Sequence, residues 1–297
     1  MRDRSYARLL ALAFALGTAS ESGAGQGRRD STATPQPPSA PPGIQDNSFL
    51  IEEAYNQDRG VVQHISGFQR DERTGDFTYQ FTQEWPLGGI AHQLSYTLPL
   101  VRTERAAGVG DIRLNYRYQL VGDGEAAVAV APRLTAILPT GSARRERGAG
   151  ALGVEAWLPA SVVLSEHVVA HANAGLTLTP HARDAGGARA TTRDWTGGGS
   201  VVWLARTRFN VLVEALYQRV EEVRGPGVKE RQSVETISPG IRWAYDFRSG
   251  LQFVPGLAVP LGVGPSHGER SVYAYLSFEH PFSKAARAAA RANAAGR

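Results

Sequence analysis

Cysteine is absent from all 297 residues, which excludes a disulfide framework, a zinc knuckle and a thiol nucleophile. A chain without thiols can cross an oxidising compartment unfolded without mispairing. After the first residues there is also no apolar run of the ~20 residues that a membrane helix needs. Any membrane-spanning structure in the mature chain must then be made of strands, because only helices and closed barrels satisfy their backbone polar groups in lipid. The net charge of +4 is spread among Asp and Glu, with no Lys/Arg block and no RNA-binding aromatic motif, so nucleic acid is not an expected partner.

What is present begins with "MRDRSYAR" and "LLALAFALGTA", a basic region followed by an apolar one. Gly17-Thr18-Ala19 and Ser22-Gly23-Ala24 each offer a small-residue cleavage site, so residues 1–24 are expected to be a secretory signal peptide. Residues 25–46, rich in Pro, Ser, Gly and Gln without periodicity, are expected to form a disordered linker. Over 47–58 the spacing predicts a short amphipathic helix. Asn47 or Ser48 would cap it, with Leu50, Ile51, Ala54 and Tyr55 on one face and Glu52, Glu53, Asn56 and Gln57 on the other. Residues 283–297 read as a basic, Ala-rich tail.

Between 59 and 282 lie about twelve strand-like segments. In "DIRLNYRYQL", period-two alternation puts Ile112, Leu114, Tyr116, Tyr118 and Leu120 on one face and Asp111, Arg113, Asn115, Arg117 and Gln119 on the other. The joints alternate as well. Short ones ("PLGG", "GDG", "SEH", "RT", "RS") take turns with mostly longer ones ("RDERTG", "RTERAAG", "PTGSARRERGA", "PHARDAGGARATT", "EVRGPGVKER", "GVGPSHG"). That sorts the loops onto two ends of a meander. The expected fold is all-β: a transmembrane up-and-down antiparallel β-barrel of about twelve strands with a short N-terminal helix. Apolar faces would meet lipid and charged faces a lumen, in the bacterial outer membrane, with both termini in the periplasm. The last strand closes on the aromatic Phe282, which resembles the signal read by the barrel-assembly machinery.

Together, "GVGDIRLNYRYQL", "APRLTAILPTG", "SPGIRWAYDF" and "GLQFVPGLAVPLG" resemble the outer-membrane barrels grouped as MetA-pathway-of-phenol-degradation or transporter-like proteins, over about residues 47 to 282. The resemblance implies a barrel and passage of small organic molecules, hydrophobic or aromatic ones among them. It brings no catalytic residues.

The expected lumen-lining charges are Glu84, Asp111, Arg113, Arg117, Arg133, Glu155 and Arg242. Reading "GDG" as a tight turn pairs Val121 with Glu125 and places Arg113 opposite Arg133, with Arg117 one step lower. Facing arginines repel unless a carboxylate or an anion lies between them, and Glu155, or Glu84 and Asp111, would supply the carboxylate. The helix sits directly before the first strand and is expected to plug or cover the periplasmic mouth through Glu52, Glu53, Tyr55 and Asn56.

His167 and His171 would share a metal ion on a helix, but on a strand they lie about 13 Å apart. Ser266 and His267 are adjacent at a loop tip, a poor arrangement for a nucleophile and its base. No catalytic residue, metal or cofactor is therefore assigned. The arginine-bearing tips "GSARRERGAG" and "DAGGARATTRD" are either phosphate-binding contacts to lipopolysaccharide or plain solvated loops. The functional expectation is a channel for small solutes. The alternatives are a structural or adhesive barrel, or an outer-membrane lipid hydrolase with Ser and His on neighbouring strands at the outer rim.

Overall fold

The computed structural model describes residues 44 to 288 except 45, 105, 125 and 248–250. The proposed signal peptide, most of the linker and most of the tail lie outside the described residues. Twelve staves follow in chain order: β1 (Val61–Asp71), β2 (Phe77–Pro86), β3 (His92–Arg102), β4 (Ala107–Val109 and Ile112–Tyr118), β5 (Val128–Val130 and Arg133–Leu138) and β6 (Gly153–Ser165). The second half is β7 (Val168–Arg183), β8 (Arg189–Arg206), β9 (Phe209–Gly225), β10 (Val228–Trp243 with Tyr245–Asp246), β11 (Gln252–Ala258 and Leu261–Gly262) and β12 (Ser271–Pro281). Each pairs antiparallel with its neighbour. The last pairs with the first, from Val61 opposite Pro281 to Asp71 opposite Ser271, so the sheet closes without a free edge.

The distribution of side chains is the reverse of a water-soluble protein's. The largest fully buried side chains include Arg242, Gln63, Gln93 and Glu214, whereas Leu120, Leu134, Leu164, Trp195 and Trp203 stand exposed on the outside. "DIRLNYRYQL" follows its two-residue period: Leu114, Tyr116, Tyr118 and Leu120 face out, and Asn115, Arg117 and Gln119 are buried inside. Near the short-turn rim, Trp85 packs on Phe282 with centroids 5.8 Å apart, and His92 on Tyr118 at 5.4 Å. These rings are placed as an interfacial girdle would be.

Two sequence readings of the wall are corrected. The turn after β4 is wide, because the hairpin bridge joins Val121 to Val130 rather than to Glu125. Beyond it β5 breaks at Ala131 and Pro132, the proline having no N–H for the ladder. The resulting register sets Arg117 opposite Arg133 and Arg113 opposite Ile137. The stretches read as long loops after β7 and β9 are largely strand, leaving 184–188 and 226–227 as turns. Strands β7 to β10 run 16, 18, 17 and 16 residues, well past the 9 to 11 that cross a bilayer, so one side of the barrel stands tall above the belt. There Glu221 pairs with Lys229 and, at 2.8 Å, with Arg231.

The predicted helix over 47–58 is not formed. Residues 46–58 are extended and bent, and the α-helical turn among the described residues lies at 284–288, after β12.

Candidate functional site

The absent helix has a physical cause, and that cause is the site itself. Ile44 and residues 46–58 belong to a loop that enters the barrel from the short-turn rim and returns to it. Ile44 packs on Ala244 and Val254, which flank the β10–β11 turn, and Asp58 at the other end precedes β1. In a helix each N–H would bond to the carbonyl four residues back. Here wall side chains take those bonds. Glu214 Oε1 accepts from the N–H of Leu50 (2.7 Å) and Ile51 (3.0 Å), Asn173 Oδ1 from Glu52 (2.7 Å), and Ser161 Oγ from Ala54 (2.8 Å). Gln119 Oε1 accepts from Asn56 (2.9 Å) and Gln93 Oε1 from Gln57 (2.8 Å). The amides of Asn173 and Gln119 also donate, to the carbonyls of Glu52 (2.9 Å) and Ala54 (2.7 Å), so each grips both polarities of the loop backbone.

Two buried arginines clamp further carbonyls of the loop. Arg117 donates to Asn56 Oδ1 (2.7 Å) and to the carbonyls of Tyr55 (2.6 Å) and Glu53 (3.3 Å), with Glu84 3.7 Å away. Arg242 donates to the carbonyls of Asp46 (2.7 Å) and Asn47 (2.6 Å). Asp46, which the sequence places in the linker, is buried and accepts from Tyr275 Oη (2.7 Å), Gln63 Nε2 (3.0 Å) and Ser277 Oγ. Tyr55 donates its hydroxyl to Ala126 O (2.9 Å), and Asn56 Nδ2 donates to Ile90 O (2.8 Å).

Shape completes the fit. Phe49 lies against inward glycines of β10 and β11: a Cβ at Gly240 would come within 2.6 Å of its ring, and one at Gly256 within 2.5 Å. Leu212, Ala258 and Tyr275 finish that apolar socket.

Above the loop, toward the long-loop rim, the lumen opens into a cavity of about 430 Å³. Amide and hydroxyl side chains, among them Gln80, Thr82, Thr97, Thr177 and Gln218, are the commonest in its walls, beside charged and apolar ones. On one side is a charge cluster. Glu155 is shared between Arg113 (2.9 Å) and Arg133 (2.8 Å), and Arg133 also pairs with Glu52 at the crest of the loop. The Arg133 guanidinium lies 5.8 Å from the centroid of the Trp157 ring.

Of the sequence-derived lumen residues, Arg113, Arg133 and Glu155 come together, while Arg117, Glu84 and Arg242 serve the loop below. Asp111 does not join either group. Its carboxylate accepts from the N–H of Gly141 (2.8 Å) and Ala149 (2.7 Å) and so secures the β5–β6 loop. Glu53 sits on the loop between the two clamps. Burial, reinforced by the charge of Asp46, pushes its carboxyl up to about 8. Missed in the sequence were Gln93, Gln119, Ser161, Asn173 and Glu214, the inward residues that replace the helix's own hydrogen bonds, and Gln63, which bonds the side chains of Asp46 and Gln57. The available signal was a run of inward amides and hydroxyls where a water-filled lumen needs only polarity, together with inward glycines.

The serines and histidines resolve separately. Ser161 Oγ and His171 Nδ1 are 2.8 Å apart on β6 and β7, but both are buried inside beneath Ala54, not at the outer rim. Gly264-Pro265-Ser266-His267-Gly268 spells Gly-x-Ser-x-Gly, yet a 3-10 turn rather than a strand-to-helix elbow forms there, and buried Ser266 Oγ accepts from Glu235 N–H at 3.1 Å.

No protein-family model matches the chain, and no curated protein matches it in sequence. The resemblance to the phenol-degradation family thus gains no support from sequence. Among solved structures, an outer-membrane channel from Pseudomonas putida F1 is similar with a TM-score of 0.55 at 13% identity, over 76% of this chain and 98% of that one. The NanC porin follows at 0.49 and 10%, over 72% and 98%, and a monoaromatic hydrocarbon channel, CymD, at 0.41 and 11%, over 76% and 89%. The last two likenesses are too loose to add to the first. What the first shows is the fold: this chain has the closed twelve-stranded barrel architecture of an outer-membrane channel.

Proposed function

We propose that the protein is a bacterial outer-membrane channel for small water-soluble organic molecules, and that residues 44–58 are its internal gate. One observation carries this reading: an apolar exterior encloses a polar lumen, and its half toward the short-turn rim is filled by a loop of the same chain held largely through hydrogen bonds to wall side chains. A purely structural barrel needs no such detachable filling. The amide and hydroxyl lining of the cavity supports polar solutes over the hydrophobic ones that the sequence resemblance implies. Both ends of the wall meet at the short-turn rim, where Val61 pairs with Pro281, which supports placing that rim in the periplasm. The exposed Arg144 and Arg145 then sit on the outer side, beside lipopolysaccharide.

The test is planar-bilayer recording on refolded protein, comparing the mature chain with one lacking residues 25–57. The reading expects low conductance from the first and a severalfold rise in the second. A deletion variant that folds and passes no current leaves a structural barrel as the answer.

A further inference from the structure

We infer that the Arg113–Glu155–Arg133 cluster is a binding site for a small organic carboxylate, which competes with the Glu52 carboxylate of the loop for Arg133. The inference rests on the channel reading above and names the solute class that its gate answers to.

Charge balance is the first support. On the wall, two guanidiniums share the single carboxylate of Glu155, and the second direct ion-pair partner of Arg133 among the described residues is Glu52, on the loop, with Glu84 acting on it from further away. A solute carboxylate can supply the same charge and the same acceptor atoms. Access is the second. Arg113 has 41% of its side chain exposed and, with Arg133, Glu155 and Glu52, lines the cavity open toward the long-loop rim. A solute arriving from that side meets Arg113 before it meets the loop. The third support is the incomplete grip of Glu52. One of its oxygens pairs with Arg133; the other is buried with no hydrogen-bond partner among the described residues, and so are Arg133 Nε and Trp157 Nε1 beside it. Buried polar atoms left unmatched are costly, so the closed pair is a poorly satisfied one that a better-placed carboxylate can displace. The fourth is the company of Trp157, which lines the same cavity with the Arg133 guanidinium over its ring and adds apolar surface beside the charge for the body of the solute.

Displacement has a mechanical result. Glu52 is the crest of the loop, and its own backbone N–H and C=O are held by Asn173 alone. Replacing its carboxylate at Arg133 removes the charged tie at the point furthest from the rim.

Benzoate and its neutral isostere benzamide test the idea on the detergent-solubilised full chain, by calorimetry and without any current. A pore that fails to conduct and a site that fails to bind are then separate results. Glu52→Gln removes the internal competitor and should bind benzoate at least fivefold more tightly than the native chain, with benzamide showing no saturable binding. Adding Arg133→Gln to that variant should weaken benzoate at least tenfold; if the pair does not fold, Arg113→Gln in the same background should weaken it severalfold. Equal benzoate affinity with and without Glu52→Gln, or equal affinity for benzoate and benzamide, overturns the inference.

Discussion

Arg117 and Arg133 face each other directly across the β4–β5 pair, yet their guanidiniums turn to different partners: Arg117 down to the loop carbonyls, Arg133 up to Glu52 and Glu155. Like charges in that position repel unless each has its own acceptors, and here the inserted loop supplies acceptors to both, with Glu155 of the wall adding to those of Arg133. Wall and loop are thus electrostatically interdependent.

Replacing Arg117 by Gln should free the lower half of the loop. Its guanidinium is buried and serves three loop acceptors, and a hydrogen bond to a charged group is worth about 1.5–3 kcal/mol. Amide exchange at residues 54–57 should accelerate roughly tenfold to a hundredfold while the strands stay protected. Unchanged exchange there would show that Arg117 does not hold the loop.

Phe49 tests shape in place of charge. Truncation to Ala removes the ring from the Gly240 and Gly256 hollow, a loss of about 3–5 kcal/mol for a buried aromatic. Gly240→Val should act alike from the other side by filling the hollow. Both variants are expected to raise conductance without altering heat-modifiable migration, and a native conductance in both would remove the socket from the account.

The lipid-facing assignment is tested by Leu134, 60% exposed on the outer wall. On a surface in water, Leu134→Arg would be nearly neutral. In a bilayer belt it should destabilise the barrel by about 2–4 kcal/mol, read by urea unfolding in vesicles.

Gate closure should depend on pH through Glu53. Its carboxyl is raised to about 8 when the loop is docked, first by burial, then by Asp46 and Glu84, against the pull of Arg242 and Arg117; the ordinary value is 4.5. The docked state therefore binds the proton more tightly than the released one. Docking is strongest below 4.5 and weakens as pH rises to 8. Burial also raises Asp46, so its contribution has the same sign. Open probability should increase between pH 5 and 8.5, and Glu53→Gln should make that increase shallower.

The barrel was legible in the sequence because its strands obey a strict alternation, as Leu114, Tyr116 and Arg117 do, and because the joints sort by length. Where alternation is lost, so is the reading. Around 181–192 and 222–231 no sustained apolar face appears, which resembles loop; the hairpins are held instead by a small cluster of Ala182, Ala190 and Val223 and by pairs such as Glu221 with Arg231. The loop's helical pattern was genuine as a pattern. Ile51 and Ala54 are buried and Tyr55 reaches the wall, while Leu50 lines the cavity; but Glu214, Asn173, Ser161 and Gln119 outcompete the internal ladder, and such donors and acceptors are scattered over 63–214 in the chain. The Arg117–Arg133 pairing was missed by four residues of register: the wide turn adds five, and the break at Ala131 and Pro132 takes one back.

That the loop leaves by the mouth through which it enters has a bearing on force and on assembly. No chain end has to be threaded through a closed ring, so the wall can seal at β12 and β1 first and the loop be tucked in afterwards. A pull applied at the Ile44 end would strip Arg242, then Glu214, then Asn173 in succession, peeling bonds singly as a zip opens instead of breaking them in parallel. The filling is thus removable by a weak pull from the short-turn side, while a push from the long-loop side loads all of its bonds together.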